Sequence, residues 1–362
     1  MKALFIGGTG TISAAISRRV LALGWDLYLL NRGNRPFFQD GLSGAGGTGS
    51  AGRLTGISCD INGEDAAAVA AKLKAALPPG QRFDVTADFI AFTKDQVERD
   101  YRLFKDMTAQ YFFISSASAY QKPLSGFRVN EATPLANPYW QYSRDKIACE
   151  DFLMAKYRET GFPVTIVRPS HTYDERSVPL GVHGAKGSWQ VLKRMLDGKP
   201  VIIHGDGTSL WTMTASRDFA LAFTGLMGNL HAIGEAVQIT SGETVTWNQV
   251  YEAVARALGV PLKAVHVSSE FLAAAAPDKY DYTGGLTGDK ANSLVFDNTK
   301  LKRLVPGFCA AVRFDQGVRE CVAYILSHRE CQVEDPEFDA WCDRVIAARE
   351  RAIAEFGRQD RQ

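Results

Sequence analysis

The most specific chemistry in this chain comes from Tyr142, Lys146 and a serine of the run Ile114-Ser-Ser-Ala-Ser-Ala-Tyr120. Tyr142 and Lys146 are four apart, so a helix puts them on one face, a turn from each other. A free phenol, with a pKa of ~10, is a poor base at neutral pH. An ammonium a few ångströms away favours the phenolate and is expected to lower that value. The phenol can then exchange a proton with an alcohol or carbonyl oxygen while hydride moves to or from a nicotinamide. A serine hydroxyl can hold the same oxygen. A Tyr-x-x-x-Lys pair alone occurs by chance in many helices; the upstream serines and a glycine turn near Met1 give it meaning.

That turn is Gly7-Gly-Thr-Gly-Thr-Ile-Ser13. Lys2-Ala-Leu-Phe-Ile6 before it is an apolar run of strand length, residues 14–23 read as a helix, and residues 27–30 as a second strand. Strand, glycine turn, helix, strand is the setting in which such a turn binds a dinucleotide. Glycines let the backbone approach a pyrophosphate, and the helix N-terminus offers free N–H groups and a positive dipole end. Gly7, Gly10, Thr11 and Ile12 are the candidate contacts. Ser13 takes the third small position.

Beyond the second strand an NAD site usually carries Asp or Glu for the ribose 2′-hydroxyl. Here Arg32 and Arg35 stand instead, and a guanidinium suits a 2′-phosphate, so the expected cofactor is NAD(P) with NADP(H) favoured. The stretch 41–56 is rich in glycine and reads as a surface loop. Residues 57–60 predict a third strand that ends on Asp60, an acceptor for the adenine amine. A helix over 65–77 follows, then a fourth strand over 83–92 that brings Ala91 and Phe92 to the crevice at its carboxyl end. A helix over 95–108 leads to the fifth strand, 111–115, which delivers the serines. The helix of Tyr142 and Lys146 runs to about Tyr157. A sixth strand over 164–168 leads to Pro169 beside the cofactor.

The chain has 362 residues, 22% charged and 46% hydrophobic, with a net charge of +1. That balance supplies no field for nucleic acid or an acidic membrane surface. No apolar run has the ~18 residues of a membrane span. The N-terminus lacks the signature of a secretory signal. The six cysteines are scattered without metal-ligand spacing, which predicts free thiols, no metal site and a cytoplasmic location.

With these motifs in order, residues 1 to about 304 resemble the extended short-chain dehydrogenase/reductases, the NAD-dependent epimerase/dehydratase family. The flavour of GGTGTIS, NRG and Gly205-Asp-Gly-Thr-Ser-Leu-Trp211 is similar to a subgroup that includes chloroplast stem-loop-binding proteins. The resemblance implies a Rossmann-type α/β fold: a doubly wound parallel sheet with a smaller C-terminal substrate lobe. It implies a dinucleotide domain over 1–170 plus about 212–245, a lobe over 171–211 plus about 246–310, and C-terminal helices over 311–362. It places the catalytic serine four residues before Tyr120, at Ser116, with Tyr142 as acid–base and Lys146 as its tuner and a ribose contact. His171 stands where the family commonly has Asn, facing nicotinamide or substrate.

Two departures narrow the chemistry. Ala117 and Ser118 occupy the places where sugar dehydratases keep Asp-Glu, which argues against 4,6-dehydration. Trp211 stands where nucleotide-sugar enzymes keep an arginine, and an indole cannot chelate a diphosphate; Arg217 or Lys186 would have to replace it. The expected partner is therefore a small molecule, with a secondary alcohol or ketone as the reacting group, and a homodimer is the assembly that the resemblance implies. The alternative on the same fold is an RNA-binding or scaffolding protein.

Overall fold

The computed structural model describes residues 1–33 and 52–359. Arg35 and most of the glycine-rich stretch 41–56 therefore lie outside the described residues. The chain opens with β1 (Lys2–Ile6), α1 (Thr11–Ala22), β2 (Asp26–Asn31) and β3 (Leu54–Ser58). Then come α2 (Ala66–Ala76), β4 (Val85–Asp88), α3 (Lys94–Phe104), β5 (Tyr111–Ile114), β6 (Arg128–Val129), α4 (Gln141–Thr160) and β7 (Val164–Pro169).

Seven strands form one sheet in the order β12-β7-β5-β4-β1-β2-β3, with β12 at Ala236–Ile239. Every neighbouring pair is parallel. Connections leave β1 toward β2 on one side and β4 lies on the other, so the crevice of the doubly wound sheet opens beyond the carboxyl ends of β1 and β4. Alternation sorts the side chains. Leu4, Ile6, Tyr111 and Phe113 join the core under α2, α3 and α4. Ala3, Phe5, Phe112 and Ile114 join the opposite core with Ile16, Phe219 and Phe223. Burial on both faces is why these strands are apolar throughout.

Several boundaries differ from the sequence expectation. The fourth strand stops at Asp88 rather than running to Phe92, because the Asp88 carboxylate accepts from the amides of Ile90 (2.8 Å) and Ala91 (3.0 Å) and turns the chain out. β3 ends at Ser58, since Asp60 already forms a turn that caps Asn62, Gly63 and Glu64. α1 starts at Thr11 and not residue 14, because Ser13 Oγ accepts from the Gly10 amide at 2.9 Å.

The smaller half begins with β8 (His171–Tyr173), α5 (Trp189–Leu196), β9 (Val201–His204), β10 (Leu210–Trp211) and β11 (Met213–Ala215). The chain returns to the large sheet through α6 (Ser216–Leu226) and β12, and then adds β13 (Val245–Thr246), α7 (Trp247–Leu258), β14 (Ala264–Val267) and α8 (Ser269–Ala275). A π-helical segment, Thr283–Lys290, precedes β15 (Val295–Phe296), α9 (Thr299–Leu304), α10 (Phe314–Ser327) and α11 (Pro336–Gln359). Here the strands pair only in twos: β9 with β14, β10 with β13, β11 with β8, β15 with β6. The C-terminal helices close this half, and Phe314, Val318, Phe338 and Trp341 share one core with Trp211, Trp247 and Tyr251. Arg194 on α5 ties to α11 through Asp339 (2.7 Å) and Asp343 (2.8 Å). All six cysteines are unpaired thiols. Among the described residues no helix is long and apolar enough to cross a membrane.

Candidate active site

Two cavities lie at the crevice, with Phe92 of the first and Tyr142 of the second 6.4 Å apart between ring centroids. The first, of about 500 Å³, is lined by Gly7, Gly8, Thr9, Gly10, Ser13, Asn31, Arg32, Asp60, Phe92 and neighbours. Its floor is main chain. Gly7 (φ 101°) and Gly8 (φ 91°) both adopt the left-handed backbone. A Cβ on Gly8 would stand 2.5 Å from Leu29 Cδ2, so Gly8, more than Gly10, is the position that only glycine can take. The N-terminus of α1 opens onto this floor and favours an anion. The Asn31 Nδ2 amide is buried here without a hydrogen-bond partner among the described residues. A glycine cradle, a helix end, an unused donor and Arg32 fit a dinucleotide phosphate. Thr11 and Ile12 are the first residues of α1 and are not among those lining the cavity. Ala91 is buried behind the wall, whereas Phe92 stands on it, 45% exposed.

The second cavity, of about 230 Å³, is lined by Ser116, Ala117, Ser118, Trp140, Tyr142, Pro169, Ser170, His171, Trp211, Asp289 and Lys290. β5 ends at Ile114 and a short 3₁₀ turn, Ala117–Ala119, follows, so Ser116 and Ser118 face the cavity from one side. α4 brings Tyr142 to the other. The Ser116 hydroxyl lies 2.8 Å from that of Ser118, and Ser143 donates to Ser118 at 2.7 Å. The structure thus gathers Ser116, Tyr142, Pro169 and His171 around one space, with Lys146 one turn behind.

The face of α4 continues as Tyr142, Lys146, Glu150, and each of the latter two is fixed to a strand end. Lys146 Nζ donates to the carbonyls of Ala91 and Ile114, both at 2.7 Å. Glu150 takes the Ser115 hydroxyl and a two-pronged contact from Arg168, at 3.0 and 2.6 Å. Arg168 also lies over the Tyr120 ring, 5.1 Å from its centroid. Removing one partner from such a buried ion pair costs ~3–5 kcal/mol.

The electrostatics correct one expectation. Lys146 does not lower the phenol. Burial pushes Tyr142 up, the Ser116 hydroxyl opposes this, and the Asp289 charge adds to it. The reason is geometric: the ammonium spends its donors on two carbonyls and sits 5.8 Å from the Tyr142 ring centroid. Burial drives Lys146 itself down to about 8. His171 is pushed down to about 3, chiefly by burial, so its ring is neutral.

Arg217 and Lys186, the candidate replacements for a phosphate-binding arginine, do not reach the cavity. Arg217 is clasped by Glu320 at 2.6 and 2.9 Å, and Lys186 donates to the Glu334 carbonyl at 3.1 Å. Trp211 does line it, 3% exposed, with its Nε1 buried and without a partner. Asp289, Lys290, Trp140 and Asn31 were not legible as site residues. The only local signal for the first two was a charged pair closing the glycine-rich Thr283-Gly-Gly-Leu-Thr-Gly-Asp-Lys290.

Comparison with known proteins agrees with this architecture. The profile of the NAD dependent epimerase/dehydratase family matches residues 3–240. The chain belongs to this family. It is similar to the 2′-dehydrokanamycin reductase of Streptomyces kanamyceticus, 29% identical over 195 residues, covering 54% of this chain and 53% of that protein. It is also similar to the chloroplast stem-loop binding protein of 41 kDa b of Arabidopsis thaliana, 26% identical over 262 residues, covering 72% and 64%. The chain therefore spans about half to two thirds of the length of these curated relatives. In fold, this epimerase/dehydratase family member resembles the dTDP-glucose 4,6-dehydratase of Bacillus anthracis, solved in complex with NAD. The TM-score is 0.66 at 17% identity, covering 91% of this chain and 98% of that one.

Proposed function

We propose that this chain is an NAD(P)-dependent oxidoreductase or epimerase that acts on a secondary alcohol or ketone of a sugar or sugar derivative. The observation that carries this is the meeting of Ser116 and Tyr142 on the walls of one cavity, beside the glycine cradle. A bound nicotinamide supplies or accepts the hydride. Tyr142, held as a neutral phenol, would donate a proton to the oxygen of a ketone as it is reduced and take it back when the alcohol is oxidised. Ser116 shares that oxygen. The Ser118 amide donates to Ser116 Oγ at 3.1 Å and the Ser118 hydroxyl lies 2.8 Å from it, so the Ser116 side chain is held at the cavity wall. Lys146 sets the position of α4 against the strand ends and lies 4.5 Å from the centroid of the Phe92 ring, which lines the first cavity. Ser118 and Ala117 offer no acid–base pair, so elimination is not part of this reading.

Arg32 on the cofactor wall supports NADP(H) over NAD(H), with Asp60 and the Asn31 amide on the adenosine side. The relative named as a reductase of 2′-dehydrokanamycin supports a sugar-type ketone. The test is a cofactor titration followed by substrate-dependent change in nicotinamide absorbance. Tighter binding of NADPH than NADH, reversed in Arg32→Glu, is the expected result. Absence of binding by either dinucleotide overturns the assignment.

A further inference from the structure

The second cavity says more about its ligand than the reacting oxygen alone requires. Asp289 lines it, only 9% exposed, and no described residue hydrogen-bonds its carboxyl. Burial pushes its pKa up and the charges of Lys290 and Lys122 oppose that, yet Lys290 donates to the Gly285 carbonyl (3.2 Å) and Lys122 to the Tyr120 carbonyl (3.4 Å). The Asp289 oxygens open only onto the cavity, so the groups that can donate to them are those of a molecule in that cavity. Trp211 Nε1 and His171 Nδ1 are buried polar atoms of the same lining without partners among the described residues.

The segment that carries Asp289 is built to stay in place. The Lys290 carbonyl accepts from Trp247 Nε1 (3.1 Å), His204 Nε2 (3.3 Å) and Ser209 Oγ (3.2 Å). Asn137 Nδ2 donates both to the Gly288 carbonyl (2.8 Å) and to the Ser118 carbonyl (2.9 Å), locking this segment to the turn of Ser116. A Cβ on Gly284 would lie 2.0 Å from Trp140 Cδ1, so the backbone presses against that indole. π-Helical turns are rare and concentrate at functional sites.

We propose that Asp289 grips hydroxyl groups of an unactivated, polyhydroxylated ring, a free sugar or cyclitol, and that this cavity does not take a nucleotide sugar. This rests on the oxidoreductase reading and deepens it. A carboxylate accepts from neighbouring hydroxyls, while Lys290, Trp211 Nε1 and Ser116 can donate. Trp140 and Trp211 offer apolar surface for the C–H edge of the ring. A diphosphate, by contrast, would meet a carboxylate on the wall, a single lysine, and no arginine among the lining residues. The volume of about 230 Å³ suits one ring.

The experiment titrates the NADPH-loaded protein with glucose, myo-inositol, glucosamine and UDP-glucose, read by tryptophan fluorescence. Trp140 and Trp211 report occupancy without turnover. At least one unactivated ring is expected to saturate and to bind at least tenfold tighter than UDP-glucose. Asp289→Ala should weaken that ring at least tenfold, and Asp289→Asn, which keeps shape and one acceptor, should weaken it less. Saturation by UDP-glucose at tenfold lower concentration than any free ring overturns the proposal, as does failure of all three rings to bind. So does an Asp289→Ala protein that binds the ring as the parent does. NADPH binding is measured separately, so failure of the nicotinamide reading is not mistaken for failure of this one.

Discussion

The two cavities are built from different materials. The glycine cradle is main chain, supplied by one contiguous turn, and the α1 dipole does its work without side chains. The neighbouring cavity is side chains, drawn from the turn after β5, from α4, β7, β8 and β10, and from a π-helical turn far along the chain. The first is a surface for a fixed ligand type, since every pyrophosphate presents the same charge and shape. The second is assembled from parts that can be exchanged one at a time, and the function proposed above assigns specificity to it.

Substitutions at the two sites should separate these roles. The largest effect belongs to Tyr142→Phe, which removes only a proton donor: turnover should fall by ~10²–10⁴-fold while NADPH binding stays as in the parent. An active variant breaks the assignment of the second cavity as the chemical one. Gly8→Ala is the counterpart on the other side. Its Cβ would collide with Leu29, and the backbone conformation costs ~1–3 kcal/mol, so both thermal stability and dinucleotide affinity should drop together. Unchanged cofactor affinity in a folded Gly8→Ala protein would sink the cradle.

Acid should act on the two halves with opposite sign. His171 and His204, in the substrate half, take protons at 6.5 when unfolded but only at about 3 and about 4 when folded, because burial disfavours the cation. The unfolded chain binds more protons in that window, so stability is lost as pH falls below 6.5. Asp100, under the sheet of the cofactor half, is raised well above 3.8 by burial and the Asp88 charge. Folding there favours the protonated form, so its contribution improves as pH falls toward 3.8. Hydrogen exchange at about pH 5 and about pH 7.5 should show β9 and α7 loosening before β4 and β5. The reverse order would refute the contrast. The smallest effect is expected at Arg217→Ala. Its pair with Glu320 is more than half exposed on both sides, so stability should change by less than ~1 kcal/mol, with turnover unaltered.

The same contrast explains what the sequence revealed. The cradle and Tyr142–Lys146 were legible because they are local: a turn between strand and helix, and two residues one helical turn apart. Ser116 was legible through a motif anchored on Tyr120. Asp289 and Lys290 were not, because only tertiary packing against Trp140, Trp247 and His204 brings them to the cavity. Glu150 was hidden for a related reason. A carboxylate mid-helix reads as a solvated face until Ser115 and Arg168 are seen to enclose it. The direction of the Tyr142 shift was misjudged because spacing reports proximity, whereas burial decides the sign.

Lys146 Nζ bridges the carbonyls where two adjacent strands release their chains, at Ala91 beyond β4 and at Ile114 closing β5. It is a keystone across the gap from which both loops spring. Cutting it away frees two buried acceptors as well as a charge, so an inactive protein altered at this position will also be a slacker one. Its loss of activity measures architecture and chemistry in a single reading.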